Sequence, residues 1–186
     1  HGFCLLLPLT CPVFGIIVIL ITNFAPYGQI KCIPLANSVE NRHEGGMRFE
    51  TIINGAGAAG MMCAAHVRDA LVLDHAKAAG EKIRISGGGR CNFTNIYASA
   101  ENFLSENTHF AKSALARYTQ WNFIDLVQRY DIPYHEKTLG QLFCDTSAKD
   151  IIPMLRDLME GAGAELWLKT SVTAVRHENG IFTLDI

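Results

Sequence analysis

The stretch FETIINGAGAAGMMCAAHVRDALVLDHAKAAGEKIRISGGGRCNFTN, positions 49–95, decides the fold. An apolar run that begins at Phe49 leads into the glycine pattern G-x-G-x-x-G at Gly55–Gly60. A short helical stretch follows, and a second apolar run, Leu71–Leu73, ends in the acid Asp74. This order of strand, glycine turn, helix, strand and acid is typical of a dinucleotide-binding βαβ unit. The sequence therefore predicts a three-layer α/β fold of the Rossmann type, with a parallel sheet.

The glycine pattern predicts a turn that binds phosphate. Gly55 allows the chain to turn sharply after the strand, and Gly57 lets the backbone approach a pyrophosphate. Gly60 lets the helix pack close to the strand, while amides at the start of that helix attract phosphate. Asp74 lies 19 residues after Gly55, close to the spacing of an acid that accepts hydrogen bonds from a ribose. Nucleotide binding is therefore the leading hypothesis.

A second glycine run, Gly87–Gly89, is followed directly by Arg90. Successive glycine amides beside a guanidinium group are typical of a concave site for anions. A flexible loop is the simpler interpretation of the same three glycines. The composition of the run leaves both interpretations open.

Four stretches of the chain resemble the N-terminal part of the YhiN-like bacterial flavoproteins. They are IINGAGAAG ending at Gly60, DHAK starting at Asp74, ISGGGRCNFTN at Ile85–Asn95 and YHEKTLGQLFCD at Tyr134–Asp145. The resemblance extends from residue 47 to about residue 186. It implies the FAD-binding portion of an NAD(P)/FAD-dependent oxidoreductase, with a domain of the glutathione-reductase type that is truncated before the second domain. FAD is the implied cofactor, NAD(P)H is a candidate electron donor, and the substrate is unknown.

The resemblance also implies which residues bind the cofactor, but it identifies no catalytic residue and no metal ligand. By this resemblance, the residues that hold the pyrophosphate are Gly55, Gly57, Ala58, Ala59 and Gly60, and those at the adenosine ribose are Asp74 and His75. The residues that contact the ribitol and flavin are Gly87, Gly88, Gly89, Arg90, Cys91 and Asn92. Val172 offers backbone groups to the adenine.

Three features depart from the pattern of that family. Asn54 is polar at the end of the first strand, and Arg84 replaces an apolar residue. The segment after Gly60 is shorter by about four residues, which is about one helical turn. It also lacks the usual helix-ending glycine, so residues 66–69 must make the return to the second strand. The alternative function is therefore a non-catalytic, truncated product that binds nucleotide weakly or not at all.

The N-terminal segment, residues 1–46, contains no Lys, Arg, Asp or Glu before position 31. Its apolar part, residues 3–25, is long enough for a membrane anchor, which needs about 20 apolar residues. However, Pro8 and Pro12 interrupt that part. A secretory signal is a second interpretation, but the segment lacks a positively charged start.

The third interpretation of residues 1–46, which we favour, is that they are an apolar leader outside the native protein. Met47 is the first methionine, and it stands directly before the first strand of the βαβ unit. Residues 47–186 then form the N-terminal portion of the FAD-binding domain, with an insertion of helices and a hairpin at about residues 96–146.

Charge and cysteine content limit the partners of the chain. Its 186 residues carry a formal net charge of −2, which gives no electrostatic argument for a nucleic-acid partner. A membrane partner is expected only if residues 3–25 are a real anchor. The six cysteines show neither a disulfide framework nor zinc spacing, so a reducing cytoplasm is expected. Cys91 is predicted to pack in the core, because no second cysteine lies near it in the sequence.

The insertion is predicted to contain short helices and one hairpin. Helices are expected from Ser99, over residues 108–118, and after Thr119, where the apolar face comprises Phe123, Leu126, Val127 and Tyr130. The hairpin pairs residues 134–137 with residues 141–144. Because strand residues alternate between faces, His135 and Lys137 share one side of this hairpin. They are either solvated, with the histidine packed, or act on a carbonyl or a proton near the flavin.

The last part of the chain is predicted to return to the sheet. Ser147 caps a helix over residues 148–160, with Asp150 as its partner in a capping box. Strands are expected at residues 165–169 and 172–176, and Asn179-Gly180 is a strong turn signal for a final hairpin.

Overall fold

The computed structural model describes residues 19–22, 47–103, 106, 107, 109, 111–178 and 181–186. The interpretations of residues 1–46 lie outside the described residues, except at residues 19–22. The expected helix start at Thr108 and the expected turn at Asn179-Gly180 also lie outside them. Within the described residues, no helix is both long and apolar enough to cross a membrane.

The described strands and α-helices follow one another as in the βαβ prediction. The strands are β1 Ile19–Thr22, β2 Thr51–Asn54, β3 Ala70–Asp74, β4 Asn92–Asn95, β5 Tyr134–Glu136, β6 Gln141–Cys144, β7 Glu165–Leu168, β8 Ala174–Glu178 and β9 Ile181–Asp185. The α-helices are α1 Ala58–Ala64, α2 Glu81–Ile85, α3 Lys112–Arg117, α4 Gln120–Arg129 and α5 Ile151–Gly161. Single 3₁₀ turns occur at Ala100–Asn102 and Ala148–Asp150, and Ser86–Gly89 forms a turn in which Gly87 and Gly88 have non-helical, left-handed conformations.

Two compact units divide the chain. One unit, here called the sheet unit, comprises the described residues of Val18–Ala56, Gly60–Ala79 and Asp157–Ile186. The other, here called the hairpin unit, comprises the described residues of Gly57–Ala59 and Gly80–Arg156.

The sheet unit contains the predicted parallel sheet. Its strand order is β1-β2-β3-β7, and both β2 with β3 and β3 with β7 pair in parallel, while β1 pairs antiparallel with β2. Ile53, Val72 and Leu73 are buried in this sheet, as are Met61 and Ala64 on α1. The Rossmann-like α/β fold predicted from the glycine pattern is therefore confirmed. Strands β8 and β9 form a separate antiparallel hairpin, and β8 begins at Ala174 rather than at the predicted residue 172.

The return from α1 to β3 succeeds without a glycine. Asp69 adopts a left-handed conformation, with a φ of 46°, which aspartate tolerates better than most residues. Its side-chain Oδ2 accepts a hydrogen bond from the amide of Glu50 at 3.0 Å, and its carbonyl accepts one from the amide of Thr51 at 3.3 Å. These bonds join the return to the start of β2. Asp69 therefore fills the place in which a helix-ending glycine was expected.

The hairpin unit is built on a three-stranded antiparallel sheet with the order β4-β6-β5. The predicted hairpin of β5 and β6 is confirmed. The predicted capping box of Ser147 with Asp150 is present, and Thr119, at the predicted start of a helix, forms a second capping box with Asn122. The predicted apolar face of α4 is partly wrong. Ile124 is buried with Leu126 and Val127, whereas Phe123 and Tyr130 are half-buried, because the helix is rotated toward Ile124.

A substitution at Gly60 tests how closely α1 approaches the end of β2. A Cβ atom at Gly60 would lie 1.9 Å from the Gly55 carbonyl oxygen and 3.3 Å from Ile53 Cγ2. Because backbone atoms cannot yield as a flexible side chain does, Gly60→Ala should lower the free energy of unfolding by about 1–3 kcal/mol or more. Urea unfolding followed by far-UV circular dichroism measures this loss.

Gly161→Ala, at the end of α5, is the matched control. No atom lies within 4 Å of a Cβ atom added there, and alanine favours a helix by up to about 1 kcal/mol over glycine. We expect this variant to be neutral or slightly stabilised. Equal losses in the two variants would contradict the close approach at Gly60.

Candidate nucleotide-binding site

The glycine turn after β2 has the geometry that the G-x-G-x-x-G pattern predicts. Gly55 has a φ of 121°, a conformation that is open essentially to glycine alone. Its amide donates to the Leu73 carbonyl at 2.7 Å, so the turn stays attached to the end of β3. Among the described residues, no atom beyond its chain neighbours lies within 4 Å of a Cβ atom added at Gly55. This part of the chain therefore leaves room for a ligand beside the turn.

Asp74, the acid at the end of β3, holds this turn in place. Its Oδ2 accepts a hydrogen bond from the Ala56 amide at 2.6 Å, and its Oδ1 accepts one from the Ala76 amide at 2.8 Å. The side chain is only 14% exposed, and its neighbour His75, which is 82% exposed, places Nδ1 3.4 Å from Oδ1. A carboxylate has about four lone-pair sites. Asp74 therefore supports the turn and retains acceptor sites for a ribose hydroxyl.

The segment that carries Val172 begins beside the same strand end. The Thr170 amide donates to the Asp74 carbonyl at 2.9 Å, and the Lys169 amide donates to the Ala76 carbonyl at 2.9 Å. Val172 follows two residues later and is half-buried. The sheet unit thus brings Gly55, Asp74 and the Val172 segment together around the carboxyl end of β3.

The remaining residues of the first glycine pattern lie at the start of α1. Gly57 precedes the helix, Ala58 and Ala59 form its first positions, and all three are half-buried. Asn54, expected to need a polar partner, is exposed at the end of β2. Water can therefore satisfy its amide group, and the polar residue needs no buried partner.

The second glycine run lies in the hairpin unit and forms a tight left-handed turn. Gly87, Gly88 and Gly89 have φ values of 57°, 67° and 87°. The amides of Arg90 and Cys91 both donate to the Ser86 carbonyl, the latter at 3.0 Å. These bonds close the run on itself, so it has a defined conformation.

Two of these glycines differ in what surrounds them. A Cβ atom at Gly87 would lie 2.8 Å from the Asn92 amide nitrogen and 2.8 Å from Cε1 of Phe143, whereas one at Gly88 would meet nothing within 4 Å. Phe143 thus packs against the backbone at Gly87. Arg90 is exposed, and Asn92 is half-buried at the start of β4.

Cys91 is buried, as predicted, and a cysteine from a distant part of the chain lies beside it. The Cys144 amide lies 3.4 Å from the Cys91 carbonyl oxygen and 2.9 Å from that of Arg90. Both cysteines are buried. The sequence did not show this proximity, because 53 positions separate the two residues and the pairing of β4 with β6 brings them together. Burial, helped by nearby Cys91, Asp150 and Asp145, raises the pKa of Cys144 to about 12.

The β5–β6 hairpin places His135 on its surface and not in a core. The His135 ring is stacked on Phe143, with ring centroids 6.4 Å apart, and its Nδ1 lies 2.6 Å from Asp145 Oδ1. Lys137 Nζ lies 5.2 Å from the Phe143 centroid, so both residues share one face, as predicted. Glu136 turns the other way, where its Oε1 accepts a hydrogen bond from the Gly140 amide. The pairing of His135 with Asp145 was not predicted from the sequence, although Asp145 ends the stretch YHEKTLGQLFCD.

Among the described residues, no group of three His, Cys, Asp or Glu side chains is placed to hold a metal ion. The parallel strands, the glycine turn and the acid at the end of β3 define a nucleotide-binding domain of the Rossmann class. Residues 49–186 match the HI0933-like protein Rossmann domain. The chain belongs to this FAD-binding flavoprotein family, which agrees with the resemblance drawn from the sequence motifs.

Two relatives share about half of their aligned residues with this chain. The ribosomal RNA dihydrouridine synthase of Escherichia coli (strain K12) is 53% identical over 143 residues, which cover 75% of this chain and 36% of that protein. The ribosomal RNA dihydrouridine synthase of Haemophilus influenzae is 51% identical over 130 residues, which cover 68% of this chain and 32% of that protein. The chain thus spans about a third of the length of these curated relatives.

Solved structures show weaker similarity. Thermovibrio ammonificans THI4 aligns with a TM-score of 0.41 at 10% identity, over 72% of this chain and 43% of that one. The Diels-Alderase PyrE3 aligns with a TM-score of 0.40 at 18% identity, over 72% of this chain and 28% of that one.

Gly87 and Gly88, which are neighbours in the second glycine run, can be compared in a matched pair of variants. Both Gly87 and Gly88 have positive φ, so alanine at either position carries a backbone strain of about 1–2 kcal/mol. Only at Gly87 would the new Cβ also collide with backbone and with Phe143. Gly87→Ala should therefore lower the melting temperature clearly more than Gly88→Ala. Equal shifts in thermal unfolding would contradict the packing of Phe143 at this turn.

The buried thiol of Cys144 generates a test by chemical labelling. Because its pKa is raised to about 12, the thiol stays protonated at pH 8 and should resist iodoacetamide until the chain unfolds. Half-buried Cys63, whose pKa burial also raises, serves as the comparison in peptide mapping by mass spectrometry. Rapid labelling of Cys144 in the folded chain would contradict its burial.

The same shift predicts a pH dependence of stability. The unfolded thiol ionises near its ordinary pKa of 9.0, while the folded thiol keeps its proton up to about 12. The unfolded state therefore binds fewer protons in this range, and the contribution of Cys144 to stability is lost as pH rises from about 9. Cys144→Ser should lose less stability between pH 8.5 and about 10 than the unmodified chain.

Proposed function

We propose that this chain binds FAD and forms the cofactor-binding part of a flavin-dependent oxidoreductase. The observation that carries the proposal is the glycine turn at Gly55, which Asp74 holds through a hydrogen bond from the Ala56 amide to its Oδ2 and which leaves room for a ligand among the described residues. Membership of the HI0933-like Rossmann domain family supports FAD in preference to other nucleotides. The shortened α1 does not disturb this turn, because Asp69 makes the return.

The proposed roles follow the parts of the cofactor. Residues Gly55–Gly60, including Gly57, Ala58 and Ala59, hold the pyrophosphate, and Asp74, with His75 beside it, accepts hydrogen bonds from the adenosine ribose. The Val172 segment offers backbone groups to the adenine, and residues 87–92 contact the ribitol and flavin. Bound FAD supplies the redox chemistry, while the protein binds and orients it.

The relatives suggest the substrate. Both curated relatives are named ribosomal RNA dihydrouridine synthases. We propose that the protein acts on the same class of substrate and reduces uridine in ribosomal RNA, with NAD(P)H as the electron donor, in the cytoplasm. A net charge of −2 gave no reason to expect a nucleic acid, but net charge does not report local basic surfaces. Ribosomal RNA is therefore proposed as a partner, although no nucleic-acid partner was expected from the sequence.

Cofactor choice tests the proposal directly. Equilibrium dialysis of the 186-residue chain against FAD, NAD and NADP should show tightest binding of FAD. Tighter binding of NADP than FAD would reverse the assignment. Absence of binding of all three would favour the alternative, a product that does not bind nucleotide.

Substitution of Asp74 tests the site residue by residue. A hydrogen bond to a charged group contributes about 1.5–3 kcal/mol, so Asp74→Ala should weaken FAD binding by about ten- to a hundred-fold. Asp74→Asn keeps the side-chain shape and one acceptor oxygen, so its affinity for FAD should fall between those of the unmodified chain and Asp74→Ala. Asp125→Asn, on the exposed side of α4, is the control and should bind FAD unchanged. Titration of flavin fluorescence measures all four proteins, and unchanged affinity in Asp74→Ala would contradict the proposed ribose contact.

A further inference from the structure

One row of residues crosses the three-stranded sheet of the hairpin unit. Asn92 on β4 and His135 on β5 are both direct partners of Phe143 on the central strand β6. Direct partners across antiparallel strands point to the same face of a sheet. Neighbouring strands lie about 4.8 Å apart, so the backbones of Asn92 and His135 are about 10 Å apart on one face.

Phe143 connects this row to the second glycine run. The buried Phe143 ring packs against Gly87, where even a Cβ atom would lie 2.8 Å from Cε1. The His135 ring is stacked on the same Phe143 ring, with centroids 6.4 Å apart and an angle of 22° between the two planes. Phe143 therefore links His135 to the glycine run that we assign to the flavin side of FAD.

The pairing of His135 with Asp145 fixes the direction of the imidazole. A carboxylate accepts hydrogen bonds, so the Nδ1–H of His135 donates to Asp145 Oδ1 at 2.6 Å and Nε2 faces away. The two side chains are 42% and 44% exposed, and such exposed pairs contribute little to stability. Orientation of Nε2 on this partly exposed ring is therefore the larger consequence of the pair.

We propose that His135 donates a proton to the uracil ring during the reduction of uridine, with Asp145 as its positioning residue. The inference rests on the function proposed above and deepens it. A histidine held through Nδ1 by a carboxylate, with Nε2 accessible, is a common arrangement for proton transfer. Lys137 lies on the same face of the hairpin and adds a positive charge beside the Phe143 ring.

The chemistry of the substrate requires such a donor. The C5=C6 bond of uracil is conjugated with the C4 carbonyl, so a hydride adds to C6 and leaves an electron pair shared between C5 and the C4 oxygen. A proton from protonated Nε2 of His135 then forms the new C5–H bond, and the neutral imidazole regains a proton from water. Bound FAD in its reduced form would supply the hydride with its two electrons, and NAD(P)H would supply the electrons that reduce FAD again.

The first readout is contact, and it does not depend on turnover. The full chain, with ¹⁵N-labelled histidines, is titrated with a uridine-containing RNA oligonucleotide with and without FAD, and ring signals are followed by NMR. Signals of His135 should shift. His177, which is stacked on Phe182 with centroids 4.4 Å apart in the β8–β9 hairpin, is the matched control and should not shift. An unchanged His135 ring would overturn the inference.

The second readout is product formation by the FAD-loaded chain. His135→Gln should lower the rate of dihydrouridine formation by about 10²- to 10⁴-fold, the range of general acid–base catalysis. His177→Gln should leave it unchanged. Affinities for FAD and RNA, and the rate of flavin reduction by NADH, should stay within about twofold in both variants. Full activity of His135→Gln, or loss of its FAD binding, would overturn the assignment.

Asp145→Asn tests the positioning role. The amide cannot hold the imidazole as the carboxylate does, so the ¹⁵N shifts of His135 Nδ1 and Nε2 should report a changed tautomer, together with slower product formation. Unchanged shifts would overturn the positioning role. If the unmodified chain binds no FAD or forms no dihydrouridine, the proposed function fails. The NMR titration then decides by itself whether RNA reaches His135.

Discussion

The close contact between Gly60 on α1 and the carbonyl oxygen of Gly55 is the constraint on which the candidate nucleotide-binding site depends. No side chain fits between them, since a Cβ atom would lie 1.9 Å from that oxygen. This approach sets the turn that leaves β2, and Asp74 then secures the turn through the Ala56 amide at 2.6 Å. One backbone contact and one carboxylate thus fix a strand, a turn and a helix in the arrangement that is typical of dinucleotide-binding βαβ units.

The two glycine runs use glycine for different physical reasons. In the first, Gly60 is required because two backbones touch, while Gly55 is required by its φ of 121°. In the second, Gly87 and Gly88 have left-handed conformations, and the first of them also makes room for the Phe143 ring. Phe143 in turn supports His135. The second run is therefore tied to the hairpin that carries the proposed proton donor.

Features that depend on local sequence were predicted well, and features that depend on strand pairing were not. The βαβ order, the β5–β6 hairpin and the caps at Thr119 and Ser147 are set within a few residues, so their patterns are readable. The proximity of Cys144 to Cys91 arises only from the register of β4 with β6. The hydrogen bonds that Asp74 accepts from the Ala56 and Ala76 amides were also not predicted, because spacing predicts the position of an acid but not its bonds to backbone amides.

We propose that the turn held by Asp74 binds FAD, and a crystal structure of the chain grown with FAD is the decisive test. We expect the pyrophosphate to lie against the backbone of residues 55–60. We also expect a ribose hydroxyl within about 2.5–3.0 Å of an Asp74 carboxylate oxygen. FAD bound away from this turn, or a ribose that makes no contact with Asp74, would contradict the proposed site.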